Sequence, residues 1–271
     1  MDKCLGFIGT GNMGSAMIKS IVKSGIISPG NISIYDIDKK KLTDLASETN
    51  TSALDSAKEV VLKSDVIILA VKPNMVKSVL SDCIDAFSAD KLLVTIAVGI
   101  PTDFYKEILG KNKKVVRVMP NTPALVGEGM SIISCPENIS KNDCETVLEL
   151  FRCVGKVELL DENLMNEVTA LTGSSPAYVY MFIETMADTA IQSGIPENLA
   201  YTLAAQSVLG SAKMVLETGL HPSILKDQVC SPGGTTIEAV RALESNGFRN
   251  SIIDAMNECT KKAKEIGQTY S

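Results

Sequence analysis

Short runs of apolar, mostly β-branched residues recur along the first part of the chain, and between them apolar residues return at helical spacing. The runs are Leu5 to Ile8, Ile32 to Tyr35, Val66 to Val71, Leu92 to Val98, Val115 to Met119, Met130 to Ser134 and Lys156 to Leu159. The intervening stretches 12–24, 39–47, 55–63, 73–85, 101–110 and 141–152 predict helices. Strand and helix in alternation predict an α/β fold, a doubly wound parallel sheet with helices on both faces. Val66 to Val71 is apolar at every position, as a strand covered on both sides must be. After about residue 160 the strand-like runs cease and helix follows helix, with breaks at Gly194 to Pro196, Gly219 to Pro222, Ser231 to Gly234 and Asn246-Gly247. The pattern predicts two domains, 1–160 with the sheet and 161–271 all helical. Within the second, Ala177 to Ala190 is apolar almost all round its N-terminal half, whereas a surface helix carries a single apolar stripe. A second copy of the chain covering that segment predicts a homo-oligomer; a place at the centre of a monomeric bundle is the alternative.

Composition narrows the class. The chain has 271 residues, 45% of them apolar, enough for two cores. Its formal net charge of -6 and its scattered lysines exclude a nucleic-acid surface, which needs basic patches to neutralise phosphates. No apolar stretch approaches the roughly 20 residues that cross a bilayer, and no basic, then hydrophobic, leader opens the chain, so no membrane role and a cytoplasmic location are expected. Seven cysteines without a C-x-x-C pair suggest neither a disulfide framework nor a zinc site, and most are expected as small core residues. The single histidine, His221, removes most histidine-based metal or triad chemistry. Standing before Pro222, it reads as a helix-start residue, not an acid.

Candidate chemistry lies in two glycine-rich turns. Ile8-Gly9-Thr10-Gly11-Asn12-Met13-Gly14 follows the first strand and opens the first helix. In a dinucleotide cradle the first glycine makes a tight turn, the second admits the pyrophosphate to the backbone, and the third lets helix and strand pack closely. Asp36, after Tyr35 at the end of the second strand, stands where a carboxylate bonds the adenosine ribose and repels a 2′-phosphate, which leans toward NADH over NADPH. A turn aspartate capping the helix near Lys39, with Lys39 to Lys41 holding a phosphate, is the other reading. Ala70-Val71-Lys72-Pro73 and Ala97-Val98 end later strands at the same carboxyl edge, where a cofactor runs. Pro73 suits the first position of a helix, and Lys72 is given no catalytic part. Asn121, in the Pro-Asn-Thr-Pro turn, either touches ligand or holds the turn through its own side chain.

The second turn, Ser231-Pro232-Gly233-Gly234-Thr235-Thr236, combines an N-cap candidate, a proline, two glycines and two hydroxyls. Bare N–H groups at a helix start suit a carboxylate. A plain helix-to-helix turn needs less than this.

With these residues in view the chain resembles the pyrroline-5-carboxylate reductase family over essentially its whole length. The resemblance rests on Phe7 to Gly14, Ala70 to Pro73, Arg117-Val-Met-Pro-Asn-Thr-Pro123, Val168-Thr-Ala-Leu-Thr-Gly-Ser-Ser-Pro-Ala-Tyr178 and Leu225-Lys-Asp-Gln-Val-Cys-Ser-Pro-Gly-Gly-Thr-Thr-Ile237. It implies a Rossmann domain followed by a helical dimerisation domain, with dimers that in many members assemble into a decamer. It implies an active site at the subunit interface, and reduction of Δ1-pyrroline-5-carboxylate to L-proline by NADH or NADPH, the last step of proline biosynthesis. Carried onto this sequence, it implies that Ser231, Gly233, Gly234, Thr235 and Thr236 cradle the substrate carboxylate. Thr236 bonds the ring nitrogen as the catalytic residue, and Glu162 lies near the substrate. Many relatives carry serine or an asparagine-arginine pair where this chain has Tyr35-Asp36, which sets it apart from the family's common NADPH preference. Thr172 and Ser175 stand where relatives have serine and glycine.

Two rival readings share parts of this pattern. A β-hydroxyacid dehydrogenase shares the opening turn and a helical second domain, but uses a lysine near a glycine-rich helix, and Gly173 to Pro176 offers none. A non-catalytic dinucleotide sensor would need the first turn alone and would leave Ser231 to Thr236 without work.

Overall fold

The computed structural model describes residues Met1 to Tyr270. Eight strands, β1 (Leu5–Ile8), β2 (Ile32–Tyr35), β3 (Ser52–Ala53), β4 (Val66–Leu69), β5 (Leu92–Thr95), β6 (Lys114–Met119), β7 (Gly129–Ser134) and β8 (Gly155–Leu159), form one sheet in the order β3-β2-β1-β4-β5-β6-β7-β8. The sheet helices are α1 (Asn12–Ser24), α2 (Lys39–Thr49), α3 (Ala57–Lys63), α4 (Pro73–Ser81), α5 (Thr102–Leu109) and α6 (Lys141–Arg152). Successive strand residues face opposite sides. Phe7 and Ile68 accordingly pack with Ile18 and Ile21 of α1, Leu42 of α2 and Phe151 of α6. Ile8, Ile67 and Leu69 pack with Val60 of α3, Leu80 of α4 and Tyr105 of α5 on the other side. Two apolar layers therefore clamp the sheet, and its carboxyl edge is left for a ligand.

The expected all-parallel sheet needs one correction. β6 and β7 run antiparallel, while β7 and β8 are parallel to each other. Only a 3₁₀ segment, Thr122–Val126, joins β6 to β7, and a parallel return needs a crossover of a dozen or more residues. β3, with two exposed residues, is too short to show a period. The expected helix 73–85 ends at Ser81, and a 3₁₀ turn at Ile84–Ala86 follows.

Beyond β8, a short helix α7 (Met165–Val168) passes into a π-helical turn at Thr169–Gly173, a geometry that collects at functional sites. Then come α8 (Ser175–Gln192), α9 (Glu197–Thr218), α10 (Pro222–Val229), α11 (Thr235–Ser245) and α12 (Phe248–Gln268). The division into compact units differs from a cut at residue 160. One unit joins Met1–Ser174 to the chain from Cys259 onward, and the other is Ser175–Glu258. The reason lies in specific contacts: Thr169 donates to the Met119 sulfur, Lys264 pairs with Glu167 at 2.8 Å, and Ile266 lies against Gly99. In the second unit, Ala187, Ala200 and Ala204 make a small buried seam between α8 and α9. Tyr180, Met181 and Phe182 of α8 are exposed, so that helix is not the centre of a monomeric bundle.

Cysteine usage also departs from expectation. Cys83 is a buried core thiol, pushed up to about 11 by burial. Cys135, just past β7, and Cys144 on α6 instead form a disulfide with Cα atoms 6.1 Å apart. The turn between strand and helix brings them together, at a spacing that matches no sequence pattern.

Candidate functional site

In this strand order β2 and β3 are added on one side of β1 and β4 and β5 on the other, all parallel, and ligands bind beyond the carboxyl ends of the strands at such a switch point. The first glycine turn sits there. Gly9 has φ 102°, a conformation that side chains avoid, and a Cβ on it would lie 2.5 Å from the Ala70 carbonyl oxygen. Gly11 is the N-cap of α1 with open space where a Cβ would stand. Gly14 packs so closely that a Cβ would overlap the Gly9 carbonyl. Each glycine thus has a separate reason matching the dinucleotide roles, and no side chain caps the N-terminal N–H groups of α1. These residues fit a nicotinamide dinucleotide.

Asp36 is built into that turn. Its Oδ2 accepts from the Thr10 backbone N–H at 2.6 Å and from the Thr10 hydroxyl at 2.9 Å, and its Oδ1 accepts from the Asp38 N–H at 2.9 Å. Asp38, not Asp36, caps α2, accepting from the Lys41 N–H at 3.1 Å, a bond that holds its carboxyl below the ordinary range. Asp36 therefore ties the end of β2 to the glycine turn and retains a free acceptor position on Oδ1. Of the lysines considered as phosphate holders, Lys39 pairs with Asp55, Lys40 with Asp44 and Lys41 with Asp38. Lys39 also lies over the Tyr35 ring, 5.2 Å from its centre.

Along the same edge, Ala70 and Val71 leave the sheet after β4, Lys72 is the N-cap of α4, and Pro73 holds its first position. Ala97 is buried, Val98 is exposed, and Gly99 turns the chain at φ 82°. The Asn121 side chain makes two bonds to backbone: its amide donates to the Thr172 carbonyl at 3.0 Å and its oxygen accepts from the Met130 N–H at 2.9 Å. It thereby fastens the π-helical turn to β7.

Glu162 sits in a network absent from the residue-by-residue reading. Its Oε1 accepts from the Thr102 N–H at 2.7 Å and its Oε2 from the Thr102 hydroxyl at 2.5 Å. Arg117, 5% exposed in β6, lies 3.5 Å from Oε1 and reaches the Asn166 oxygen at 3.5 Å. Burial pulls the guanidinium below its usual value and Glu162 opposes that pull. A cavity of about 280 Å³ lies beside this network, lined by Gly99, Pro101, Arg117, Asn166, Lys264 and Gly267 among others.

In the other unit, Ser231 proves not to be an N-cap. Its carbonyl accepts from the Gly234 N–H at 3.0 Å, Gly233 has φ 69°, and Gly234 is the N-cap of α11. No side chain caps that helix, so the N–H groups of its first turn, with Thr235 and Thr236 at their head, stay available to an anion. His221 is the N-cap of α10, its Nδ1 accepting from the Ser223 N–H at 3.2 Å. Among the described residues no His, Cys, Asp and Glu group could hold a metal, and no helix is long and apolar enough to cross a membrane.

Comparison with known proteins adds independent findings. Residues 162–266 match the family described as pyrroline-5-carboxylate reductase dimerisation, and residues 4–99 match that of the NADP oxidoreductase, coenzyme F420-dependent. The chain is 46% identical to pyrroline-5-carboxylate reductase of Escherichia coli over 99% of its own length and 100% of that protein's. It is 42% identical to the enzyme of Methanosarcina acetivorans, over 97% of this chain and 98% of that one. Among solved structures it resembles Plasmodium falciparum pyrroline carboxylate reductase with NADP bound, at 34% identity and a TM-score of 0.90, each chain covered to 98%. A sheet unit with a dinucleotide turn, an uncapped helix start in a helical unit, and relatives matched end to end agree: this chain belongs to the pyrroline-5-carboxylate reductase family.

Proposed function

We propose that the protein reduces Δ1-pyrroline-5-carboxylate, the substrate in its relatives' name, to L-proline, the last step of proline biosynthesis. The observation that carries this reading is the start of α11. Two glycines and two threonines precede and open a helix whose N–H groups no side chain caps, a cradle for the carboxylate of a small ring. The substrate carboxylate rests on Ser231, Gly233, Gly234, Thr235 and Thr236. Thr236 is the catalytic residue: its hydroxyl bonds the ring nitrogen and orients it for the hydride. A protonated imine needs no strong general acid, so a chain with one histidine suffices.

A reduced nicotinamide, when bound, supplies the hydride. Gly9 to Gly14 hold the pyrophosphate, Tyr35 and Asp36 face the adenosine end, and Ala70 to Pro73, Ala97, Val98 and the Asn121 turn line the path toward the nicotinamide. The remaining acceptor on Asp36 suits a ribose hydroxyl, and its charge opposes a 2′-phosphate, so NADH is the preferred donor. The exposed aromatic and aliphatic residues of α8, with the dimerisation match, support a homodimer; an active site shared between its subunits, and a decamer as a further level of assembly, rest on the family resemblance alone. We place the protein in the cytoplasm. The test mixes it with pyrroline-5-carboxylate and either reduced cofactor, following nicotinamide absorbance. Oxidation dependent on the imine supports the proposal, and none refutes it. Turnover of a β-hydroxyacid instead would favour the dehydrogenase alternative.

A further inference from the structure

We propose that Glu162 and Arg117 are positioning residues that splint the turn between β5 and α5, and that this splint, not contact with substrate, is their part in the reaction. The proposal rests on the reading above, in which Ala97 and Val98 flank the nicotinamide.

α5 begins at Thr102, three residues after Gly99, and its N-cap is Pro101, which offers no side-chain bond. The orphan N–H of Thr102 is met instead by a carboxylate 60 residues away in sequence. A negative charge at a helix start is favourable on its own, and here both oxygens are used, one on the N–H and one on the hydroxyl of a single residue. Two bonds to one residue fix orientation as well as distance. Arg117 lies beneath, almost fully buried, with Glu162 as the carboxylate that compensates its charge. β5 runs beside β6 with Thr95 opposite Arg117, so the guanidinium rises from the strand next to the one that enters the turn.

The turn is held at a second point. Gly99 carries φ 82°, and a Cβ there would lie 2.6 Å from the Ile266 Cγ2 of α12. Between Thr95 and Thr102 the backbone is thus fixed by its strand, by the seat on Ile266 and by the Glu162 carboxylate. Hydride transfer needs its reacting atoms at about 3 to 3.5 Å, and a displacement of about 1 Å can cost a hundredfold. A segment bordering the nicotinamide therefore has to be rigid, and this one is rigid through Thr102.

The experiment uses Thr102, which touches no ligand in this scheme. Thr102→Val deletes the hydroxyl that meets Oε2 while keeping the side-chain shape, and Thr102→Ser restores it. The splint predicts that T102V lowers kcat at least fivefold, leaves the cofactor Kd within twofold and raises the primary deuterium isotope effect with 4-deuterated reduced cofactor. T102S should return all three to near the wild-type values. In parallel, hydrogen exchange over 97–104 in cofactor-free protein should quicken at least tenfold in T102V. Unchanged kcat, or exchange like wild type, overturns the proposal, as does loss of cofactor affinity in proportion to kcat. Glu162→Gln, which keeps an acceptor for the Thr102 N–H, should exceed Glu162→Ala in kcat; wild-type kcat in both, with only the imine KM raised, would make Glu162 a substrate contact. Failure of the wild-type protein to turn over the imine would count against the reductase reading, and the exchange measurement would still decide the splint.

Discussion

Replacing Asp36 with asparagine separates the two tasks assigned to that carboxylate. Asp36→Asn keeps an oxygen for the Thr10 N–H, now met at 2.6 Å, while removing the negative charge. The charge opposes a 2′-phosphate bearing about −1.5 to −2 charges. Asp36 is partly exposed, so an effective dielectric between that of a protein surface and water applies; at about 5 Å each unit of charge then costs about 1 to 2 kcal/mol. About 2 kcal/mol in total corresponds to roughly thirtyfold in relative kcat/KM. The assay is the ratio of kcat/KM with NADPH to that with NADH at fixed, saturating imine. D36N should raise this ratio by roughly thirtyfold and leave the NADH value within a few fold. Asp36→Ser also loses the brace on Thr10, so its ratio should rise similarly while both cofactors weaken. A ratio unmoved in D36N would refute the electrostatic account and leave Asp36 as a strut of the turn alone.

Thr236→Ala should cut kcat/KM for the imine by roughly 10- to 100-fold, the worth of about 1.5 to 3 kcal/mol for a bond to a charged nitrogen, with cofactor affinity measured by fluorescence unchanged. Equal turnover would end the role given to its hydroxyl. Thr95→Val would strand the buried Tyr105 hydroxyl, now 2.6 Å from the Thr95 oxygen, and should cost about 1 to 3 kcal/mol in urea unfolding. Gly14→Ala places a methyl on the Gly9 carbonyl and should both lower Tm by several degrees and weaken either cofactor. Burial works against the charge on Asp143, but the Lys114 ammonium at 2.8 Å and the Ser140 hydroxyl outweigh it and hold the carboxyl below its ordinary value. A lowered carboxylate stabilises the fold above its unfolded pKa of about 3.9 and loses that contribution as pH falls through the folded value. Tm measured from pH 7 to pH 3 should therefore fall less steeply at its acid end in Asp143→Asn than in the wild type.

Much of this architecture can be read from hydrophobic spacing because each strand of the sheet unit is covered on both sides. β1, β2, α1 and α6 lie where the pattern places them, since a run such as Leu5 to Ile8 has one way to bury all four residues. The reversal at β7 is not visible in that signal, because a strand has the same period in either direction. The glycine turn is legible through its three spaced glycines, whereas the Asp36 bonds to Thr10 depend on two strands meeting. Arg117 carries a signal of its own: a charge in the middle of the run from Val115 to Met119, otherwise apolar, demands a buried partner. Which carboxylate answers it is decided only by the fold. The Cys135–Cys144 pair has the same character, set by a turn and not by a repeat.

The seat of Ile266 on Gly99 also has a temporal side. The stretch from Cys259 that finishes the sheet unit is synthesised only after the whole of Ser175–Glu258. Until then the nascent polypeptide carries an open groove where α12 will lie, and closing it requires the ends of a very long loop to meet. A stop codon ahead of Ile266 would release a chain with every strand in place and its keystone missing.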